Sequence, residues 1–261
     1  MNICRYNHIF WQLFKADLAV FQQTFWDKLL NAMIWASTVV AITGYIMPAF
    51  GLSVEFGAFQ AVGVVVSMSG FEVYPQLANF ISDIDGDRHV NYLLTLPIPG
   101  WLLLVKMACF YTLNALLMAF AALVTSKLIL LSRFNMSTIH LGKMILAFIV
   151  INAFFGFFTL WMVSLTKSIL TMENTMMRVM YPLWFLGGFQ FSWHVLHSMS
   201  PSLAYINLLN PYIYSFEGMR AATLGQEGYL NYWMCMAVLS AFTLVCGWWG
   251  IERLKKRLDF I

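Results

Sequence analysis

The chain has 261 residues, of which 61% are hydrophobic and only 10% are charged. A water-soluble domain carries about 25% charged residues, so this composition excludes a soluble globular protein and predicts an integral membrane protein. The net charge of +3 is too small to indicate a nucleic-acid partner. The four cysteines form no Cys-x-x-Cys pair, which indicates neither a metal centre nor a disulfide framework.

The first segment, residues 1–28, is amphipathic rather than uniformly apolar. On a helical projection its large apolar side chains share one narrow arc, and Gln12, Lys15 and Gln22 lie outside that arc. A helix of this kind lies along a membrane surface. We therefore predict an interfacial N-terminal helix and no cleavable signal peptide. The residues on its apolar arc are Phe10, Phe14, Leu18, Phe21 and Phe25.

Six apolar segments are each near the length of about 20 residues that an α-helix needs to cross a bilayer. Backbone polar groups in lipid must be satisfied within the protein, and a helix satisfies its own. The chain is therefore predicted to be one all-α membrane domain, residues 1–261, with six transmembrane helices. The predicted spans are residues 29–50, 57–80, 101–131, 141–165, 175–195 and 232–250.

The positions of Lys and Arg predict the orientation, because short cytoplasmic loops carry an excess of both. With a cytoplasmic N-terminus, 11 of the 15 basic residues lie at the inner face and 4 at the outer face. Both termini are then cytoplasmic, which requires an even number of spans. The inner set is Arg5, Lys15, Lys28, Arg88, Lys106, Lys167, Arg178, Arg253, Lys255, Lys256 and Arg257, and the outer set is Lys127, Arg133, Lys143 and Arg220.

The loop of residues 81–100, between the second and third predicted spans, is cytoplasmic in this orientation. Its three alternating aspartates lack the glycine and glutamate spacing of an EF-hand calcium loop. Acidic residues favour a helix start, and a proline ends a helix. The loop therefore predicts a short helix that ends before Pro97. Its apolar side, which is predicted to dock on a partner protein, consists of Val90, Leu93 and Leu94.

The predicted outer loop of residues 196–231 is too long for a simple turn and too apolar to be fully solvated. We predict that it re-enters the outer leaflet before the last span. Asn210 suits a helix N-cap, and Pro211 suits the first helical turn. Glu217 and Arg220 are three residues apart and are predicted to pair on the same helix as a structural anchor.

Glu72 is an acidic residue inside the second predicted span. An ionisable group at this depth is costly unless it faces water or a partner. Two interpretations stay open: Glu72 lines a translocation path, or it pairs locally with Lys106 or with a polar neighbour. His194 and His197 alone make a poor metal site, so they are predicted to be ordinary interfacial side chains.

Two motifs and their order resemble the membrane subunit of ABC-2 type transporters. The first is Asp-Arg-x-x-x-Tyr-Leu-Leu-Thr-Leu-Pro-Ile-Pro-x-Trp at residues 87–101, and the second is Asn-Pro-x-x-Tyr-x-x-Glu-x-x-Arg at residues 210–220. Pro182 followed by the glycines at 187 and 188 is similar to the fifth-span pattern of that family. The resemblance covers nearly the whole chain.

This resemblance implies an exporter of an amphiphile, lipid, drug or polysaccharide in a bacterial inner membrane. The chain then has no cofactor of its own, because two copies of an ATPase subunit bind ATP and Mg²⁺, and a second permease copy or homologue completes the path. The implied ATPase-coupling residues are Asp85, Asp87, Arg88, Tyr92, Leu93, Leu94 and Pro97. The implied outer-loop signature residues are Asn210, Pro211, Tyr214, Glu217 and Arg220.

Two other classes of protein stay open. A secondary transporter would be driven by an ion gradient and would use Glu72 as its proton site, although the sequence shows no internal repeat with interrupted helices. A membrane scaffold that transports nothing is the other alternative.

Overall fold

The computed structural model describes residues 3–134 and 139–258, and every regular element in these ranges is helical. The first two residues of the predicted N-terminal helix lie outside the described residues. Two π-helical segments, Ile42–Ile46 and Met176–Met180, and a 3-10 turn, Leu131–Arg133, adjoin the α-helices. These are α1 (Ile3–Ala41), α2 (Met47–Ala49), α3 (Glu55–Phe71), α4 (Val73–Asp85), α5 (His89–Leu94), α6 (Gly100–Leu130), α7 (Leu141–Leu165), α8 (Ile169–Thr175), α9 (Tyr181–Leu186), α10 (Trp193–Met199), α11 (Pro201–Asn207), α12 (Pro211–Thr223) and α13 (Tyr232–Leu258).

Within the described ranges, five helical stretches are long and apolar enough to cross a membrane. They confirm a helical, multi-pass membrane protein, and they match the first, second, third, fourth and sixth predicted spans. Their bounds are Tyr6–Ala49, Glu55–Asp85, Gly100–Leu130, Leu141–Leu165 and Tyr232–Leu258.

The first helix differs from its prediction, because the amphipathic segment and the first span are one uninterrupted helix. No glycine precedes Gly44 and no proline precedes Pro48, so nothing in the sequence breaks the helix near residue 28. The 44 residues of Tyr6–Ala49 extend over roughly 66 Å. A bilayer core is only about 30 Å thick, so the N-terminal part of α1 exceeds the length that a crossing needs.

The apolar arc of α1 packs on another helix of the protein. The rings of Phe14 and Phe21 meet the ring of Phe110 on α6 edge to face, with centroids 6.2 and 6.1 Å apart. An ion pair reinforces this contact, since Lys106 Nζ on α6 lies 2.6 Å from Asp17 Oδ2. α6 therefore covers part of the apolar arc that the sequence pattern predicts to face lipid.

The second predicted span is a kinked pair of helices. α3 ends at Phe71 and α4 begins at Val73, with Glu72 between them. Pro75 has no N–H to donate to the carbonyl of residue 71, and its ring crowds that carbonyl. The kink therefore falls one turn before the proline and places the Glu72 side chain at the bend.

The bundle has two ends, each defined by contacts between chain segments. At the α5 end, Asp85 Oδ2 accepts a hydrogen bond from Ile169 N, and Arg257 donates to the carbonyl oxygens of Thr166 and Lys167. At the opposite end, here called the Tyr229 end, the ring of Tyr229 stacks on Phe59. Three other contacts lie at the Tyr229 end, namely Arg133 to the Gly44 carbonyl, His140 N to the Ala222 carbonyl and the Tyr232 hydroxyl to the Lys143 carbonyl.

The fifth predicted span, residues 175–195, is not one continuous apolar helix. α8, a π-helical segment and α9 follow one another from Ile169 to Leu186, and the helix then stops at Gly187 and Gly188. Gly188 has a φ of 95°, a conformation that side chains with a Cβ rarely adopt. Pro182 lies two residues after the end of the π-helical segment, and its missing N–H leaves one helical hydrogen bond unmade where the helix widens.

α12 lies at the centre of the fold. All 13 of its residues are buried, including the charged Glu217 and Arg220. The helix packs against α3, α7 and α13. A segment that the sequence places in an outer loop is thus enclosed by the long helices.

Candidate functional site

α5 is held in place by the carboxylate of Asp83. This carboxylate accepts hydrogen bonds from His89 N at 2.9 Å and Val90 N at 2.8 Å, two of the free N–H groups at the helix start. Arg88, which precedes the helix, adopts a left-handed conformation with a φ of 55°. The predicted acidic helix start is present, although Asp83 rather than Asp85 or Asp87 forms it.

The apolar side of α5 faces the protein itself. Val90 and Leu93 are buried, and Leu94 is half-buried beside Gly100. The opposite side is open: Tyr92 is 64% exposed, and its ring stacks near that of His89 with centroids 6.4 Å apart. The exposed residues Arg88, His89 and Tyr92 form what we call the α5 surface.

Of the other predicted coupling residues, some are exposed beside the α5 surface and one also contacts another segment of the protein. Asp87 and Pro97 are exposed beside the α5 surface. Asp85 is also exposed, but its carboxylate accepts a hydrogen bond from Ile169 N at 3.2 Å. Asp85 therefore links the loop that carries α5 to the start of α8.

Glu72 is paired, but with a different lysine from the predicted one. Its Oε2 lies 2.9 Å from Lys28 Nζ on α1 and 3.5 Å from Gln76 Nε2. The proposed pair with Lys106 is wrong, because Lys106 reaches Asp17 instead. The residue spacing could not reveal this, because Lys28 lies in the segment of residues 1–28 that the sequence pattern predicts to be interfacial and separate from the spans.

Glu72→Gln is expected to leave Lys28 without its carboxylate in a largely buried position. We expect the free energy of unfolding to fall by about 2 kcal/mol, below the ~3–5 kcal/mol of a fully buried pair. The reason for the smaller loss is that the Lys28 side chain is 21% exposed. Denaturation in mixed micelles measures this loss. The double variant Lys28→Met/Glu72→Gln should recover most of it, and equal losses for the single and double variants would contradict the pairing.

The outer-loop signature builds the start of α12. Asn210 Oδ1 accepts a hydrogen bond from Tyr212 N at 2.9 Å, which confirms the predicted N-cap, and Pro211 occupies the first turn. The amide of Asn210 also donates to the Leu183 carbonyl on α9 at 2.7 Å. The Tyr214 hydroxyl donates to the Leu208 carbonyl at 2.8 Å. These bonds attach the helix start to the segments on either side of it.

Glu217 and Arg220 do not pair directly as predicted. The Arg220 guanidinium donates from Nη1 to the Gly188 carbonyl at 2.6 Å and from Nη2 to the Phe189 carbonyl at 3.0 Å, and it lies 3.5 Å from the Phe59 ring centroid. The Glu217 carboxylate accepts from Trp193 N at 3.1 Å and from Leu230 N at 2.9 Å. Each charge therefore organises a different backbone segment.

Burial changes the acidity of both groups. Removal from water raises the pKa of the Glu217 carboxyl, whereas the charge of Arg220 and the two backbone N–H donors act to lower it. Burial lowers the pKa of the Arg220 guanidinium to about 10, and the charge of Glu217 opposes this change. Each of these two charges thus opposes the pKa shift that burial causes in the other group, although they are not in direct contact.

A cavity of about 620 Å³ opens at the Tyr229 end. Its walls come from the start of α3, from Arg133, from residues 190–195 and from residues 224–229. The sequence predictions missed this cavity because its walls lie far apart along the chain. The spacing of Phe56 and Phe59 behind the acidic Glu55 was the local signal available.

Among the described residues, no group of three or more His, Cys, Asp and Glu side chains is arranged to hold a metal ion. His197 instead stacks on Trp193, with ring centroids 4.9 Å apart, and meets the Tyr205 ring edge-on.

Comparison with protein-family models, with characterised proteins and with solved structures finds no match to this chain.

Proposed function

We propose that this chain is the membrane subunit of an ATP-driven exporter of the ABC-2 type, which moves an amphiphile, lipid, drug or polysaccharide outward. The observation that carries the proposal is α5, a capped helix with one side packed on the bundle and the other side free. Two copies of an ATPase subunit would bind the α5 surface and supply ATP and Mg²⁺. A second permease copy or homologue would complete the path.

The contacts of α5 suit the transmission of force. Asp83 joins it to the end of α4, its buried Val90 and Leu93 pack on the bundle, and Asp85 bonds to the start of α8. A push on the α5 surface would therefore move α4 and α8 together. Interiors packed in this way transmit a displacement instead of absorbing it.

The proposed topology has six crossings, with α8, the π-helical segment and α9 as the fifth. α7 ends at the α5 end and α13 begins at the Tyr229 end, so the chain between them passes from one end to the other. Residues 169–186 are helical throughout and extend over roughly 27 Å. That length is close to the ~30 Å of a bilayer core.

The proposed topology also includes a re-entrant segment from α10 to α12. The ring of Tyr212, at the start of α12, lies 5.1 Å from that of Phe155, which is near the middle of α7. The end of α12 reaches the Tyr229 end, where the Ala222 carbonyl accepts from His140 N at 3.1 Å. These two contacts support a path that enters from the Tyr229 end and returns to it.

The charge distribution supports an orientation in which the α5 end and both termini are cytoplasmic. In a background without native cysteines, we expect a cysteine at Gln226 to react with an impermeant maleimide added to intact cells, because Gln226 is exposed at the Tyr229 end. A cysteine at the exposed Asp87 should react only after permeabilisation. The reverse pattern would overturn the orientation and the assignment of the α5 surface to an ATPase.

Purification of the tagged chain from its own membranes tests the proposed function. We expect an ATPase subunit to accompany it, together with vanadate-sensitive ATP hydrolysis. A secondary carrier or a scaffold would bring no such subunit. The ion pair of Glu72 with Lys28, at 2.9 Å, supports the exporter over the carrier, because it gives the carboxylate a structural role between α1 and the second span.

A further inference from the structure

The cavity at the Tyr229 end has the size and composition of a ligand site. Its volume of about 620 Å³ falls within the ~300–1,000 Å³ of small-molecule pockets. Part of its wall is apolar, from Phe56, Phe191, Val195 and Leu224, and part is polar. This combination suits an amphiphile, with its apolar body on one wall and its polar head on the other.

Aromatic faces form one side of the cavity. Phe59 stacks on Phe56 with ring centroids 5.9 Å apart, and on Tyr229 with centroids 6.5 Å apart. All three rings line the cavity. The Arg220 guanidinium already lies over the Phe59 ring at 3.5 Å, so this cluster has a π surface that accommodates a cation. Such faces attract organic cations, including quaternary ammonium groups.

The charges at the cavity favour a cationic head. Glu55 and Glu227 line it and are exposed, and neither forms an ion pair with another described residue. The basic residue among the described lining is Arg133, which donates to the Gly44 carbonyl and lies 4.3 Å from the Tyr45 ring centroid. The lining therefore has two negative charges without an ion-pair partner, on Glu55 and Glu227, and one positive charge, on Arg133, which already has partners.

We propose that this cavity binds an amphiphile through a positively charged ammonium group, which sits between the carboxylates of Glu55 and Glu227 and the faces of Phe56 and Tyr229. An ammonium group of this kind occurs on free organic cations and on the headgroup of a zwitterionic phospholipid. The proposal does not depend on the ATPase partner. A binding measurement on the full chain tests it separately from the proposed function.

The first probes are ethidium, followed by fluorescence anisotropy, and dodecyltrimethylammonium, followed by displacement of ethidium. We expect saturable binding of ethidium to the purified chain in a non-ionic detergent, and at least tenfold weaker binding to the Glu55→Gln/Glu227→Gln variant. Glu173→Gln is the matched control, because Glu173 is an exposed carboxylate on α8, outside the cavity lining. Binding to the double variant within twofold of wild type, or no saturable binding of either probe to wild type, would overturn the proposal.

Arg133→Gln is expected to change the affinity for ethidium in the opposite direction from the Glu55→Gln/Glu227→Gln variant. Removal of this positive charge should strengthen binding of the cation by about threefold, whereas a site for an anion would lose affinity. Weaker binding of ethidium to Arg133→Gln would therefore contradict the proposal. Because this variant gains affinity, misfolding cannot produce the expected result.

Short-chain lipids distinguish the two sources of the ammonium group. If the headgroup of a zwitterionic lipid occupies the site, dihexanoyl phosphatidylethanolamine should displace ethidium and dihexanoyl phosphatidylglycerol should not. If neither lipid competes while dodecyltrimethylammonium does, the natural ligand is a free cationic amphiphile. Equal competition by both lipids would show that the ammonium group does not contribute to binding, and would overturn the proposal.

Discussion

Replacement of Tyr92 by alanine is expected to separate the chain from the proposed ATPase subunit while leaving the bundle folded. Tyr92 is 64% exposed on the α5 surface. A tyrosine at the centre of an interface contributes about 2 kcal/mol or more to binding, which corresponds to a roughly 30-fold loss of affinity. The amount of ATPase that copurifies and the ATP hydrolysis of the complex measure this loss.

The matched control for this variant is Tyr205→Ala. Tyr205 on α11 is exposed to a similar extent, 60%, and it contacts Trp193 and His197 away from the α5 surface. It should retain full association with the ATPase. Arg88→Glu reverses a charge beside Tyr92 and should act in the same direction as Tyr92→Ala. Normal association in both α5 variants would remove α5 from the proposed interface.

Leu93→Asp does not provide an equally clear test. The sequence correctly predicted a short helix with an apolar side, because an acidic start and Pro97 define it locally. The sequence did not reveal that the protein itself covers this side, so that Leu93 is only 6% exposed. A charge there would disturb the packing of α5 before it affected any partner. Which side of an amphipathic helix is free depends on tertiary contacts.

The long helices illustrate what could be predicted. Each of the five membrane-length helices depends on a local run of apolar residues, and each falls near its predicted position. The prediction that α1 divides into two segments was wrong. A change in composition near residue 28 does not by itself end a helix. A helix ends where its hydrogen bonds can no longer continue, as at Gly187 and Gly188 after α9.

The contacts between distant segments could not be predicted in the same way. Glu217 and Arg220 have the i to i+3 spacing of a helical ion pair. In the fold, however, backbone groups of residues 188–193 and 230 lie closer to them than they do to each other. The cavity is a similar case, because four separate parts of the chain form its walls. Spacing along one helix contains no information about such neighbours.

Arg220→Met is expected to cause the largest loss of stability among the variants considered. Methionine retains a long chain beside Phe59, but it removes the donors to the Gly188 and Phe189 carbonyls. It also removes the positive charge of Arg220 from the neighbourhood of Glu217. Loss of one partner of a buried charge system costs about 3–5 kcal/mol, which is a large fraction of the ~5–15 kcal/mol that stabilises a typical domain. Arg178→Met provides the control, because Arg178 is exposed and should change stability by no more than about 0.5 kcal/mol.

Glu217→Gln distinguishes the role of Arg220 as a backbone anchor from a role as an ion-pair partner. A glutamine oxygen can still accept from Trp193 N or Leu230 N, so one of the two bonds of Glu217 survives. If Arg220 acts mainly through the carbonyl oxygens of residues 188 and 189, Glu217→Gln should cost about 1–2 kcal/mol. Arg220→Met should then cost distinctly more. Denaturation in mixed micelles measures both variants, and equal losses would mean that attraction between the two charges, rather than their separate backbone contacts, holds α12 in place.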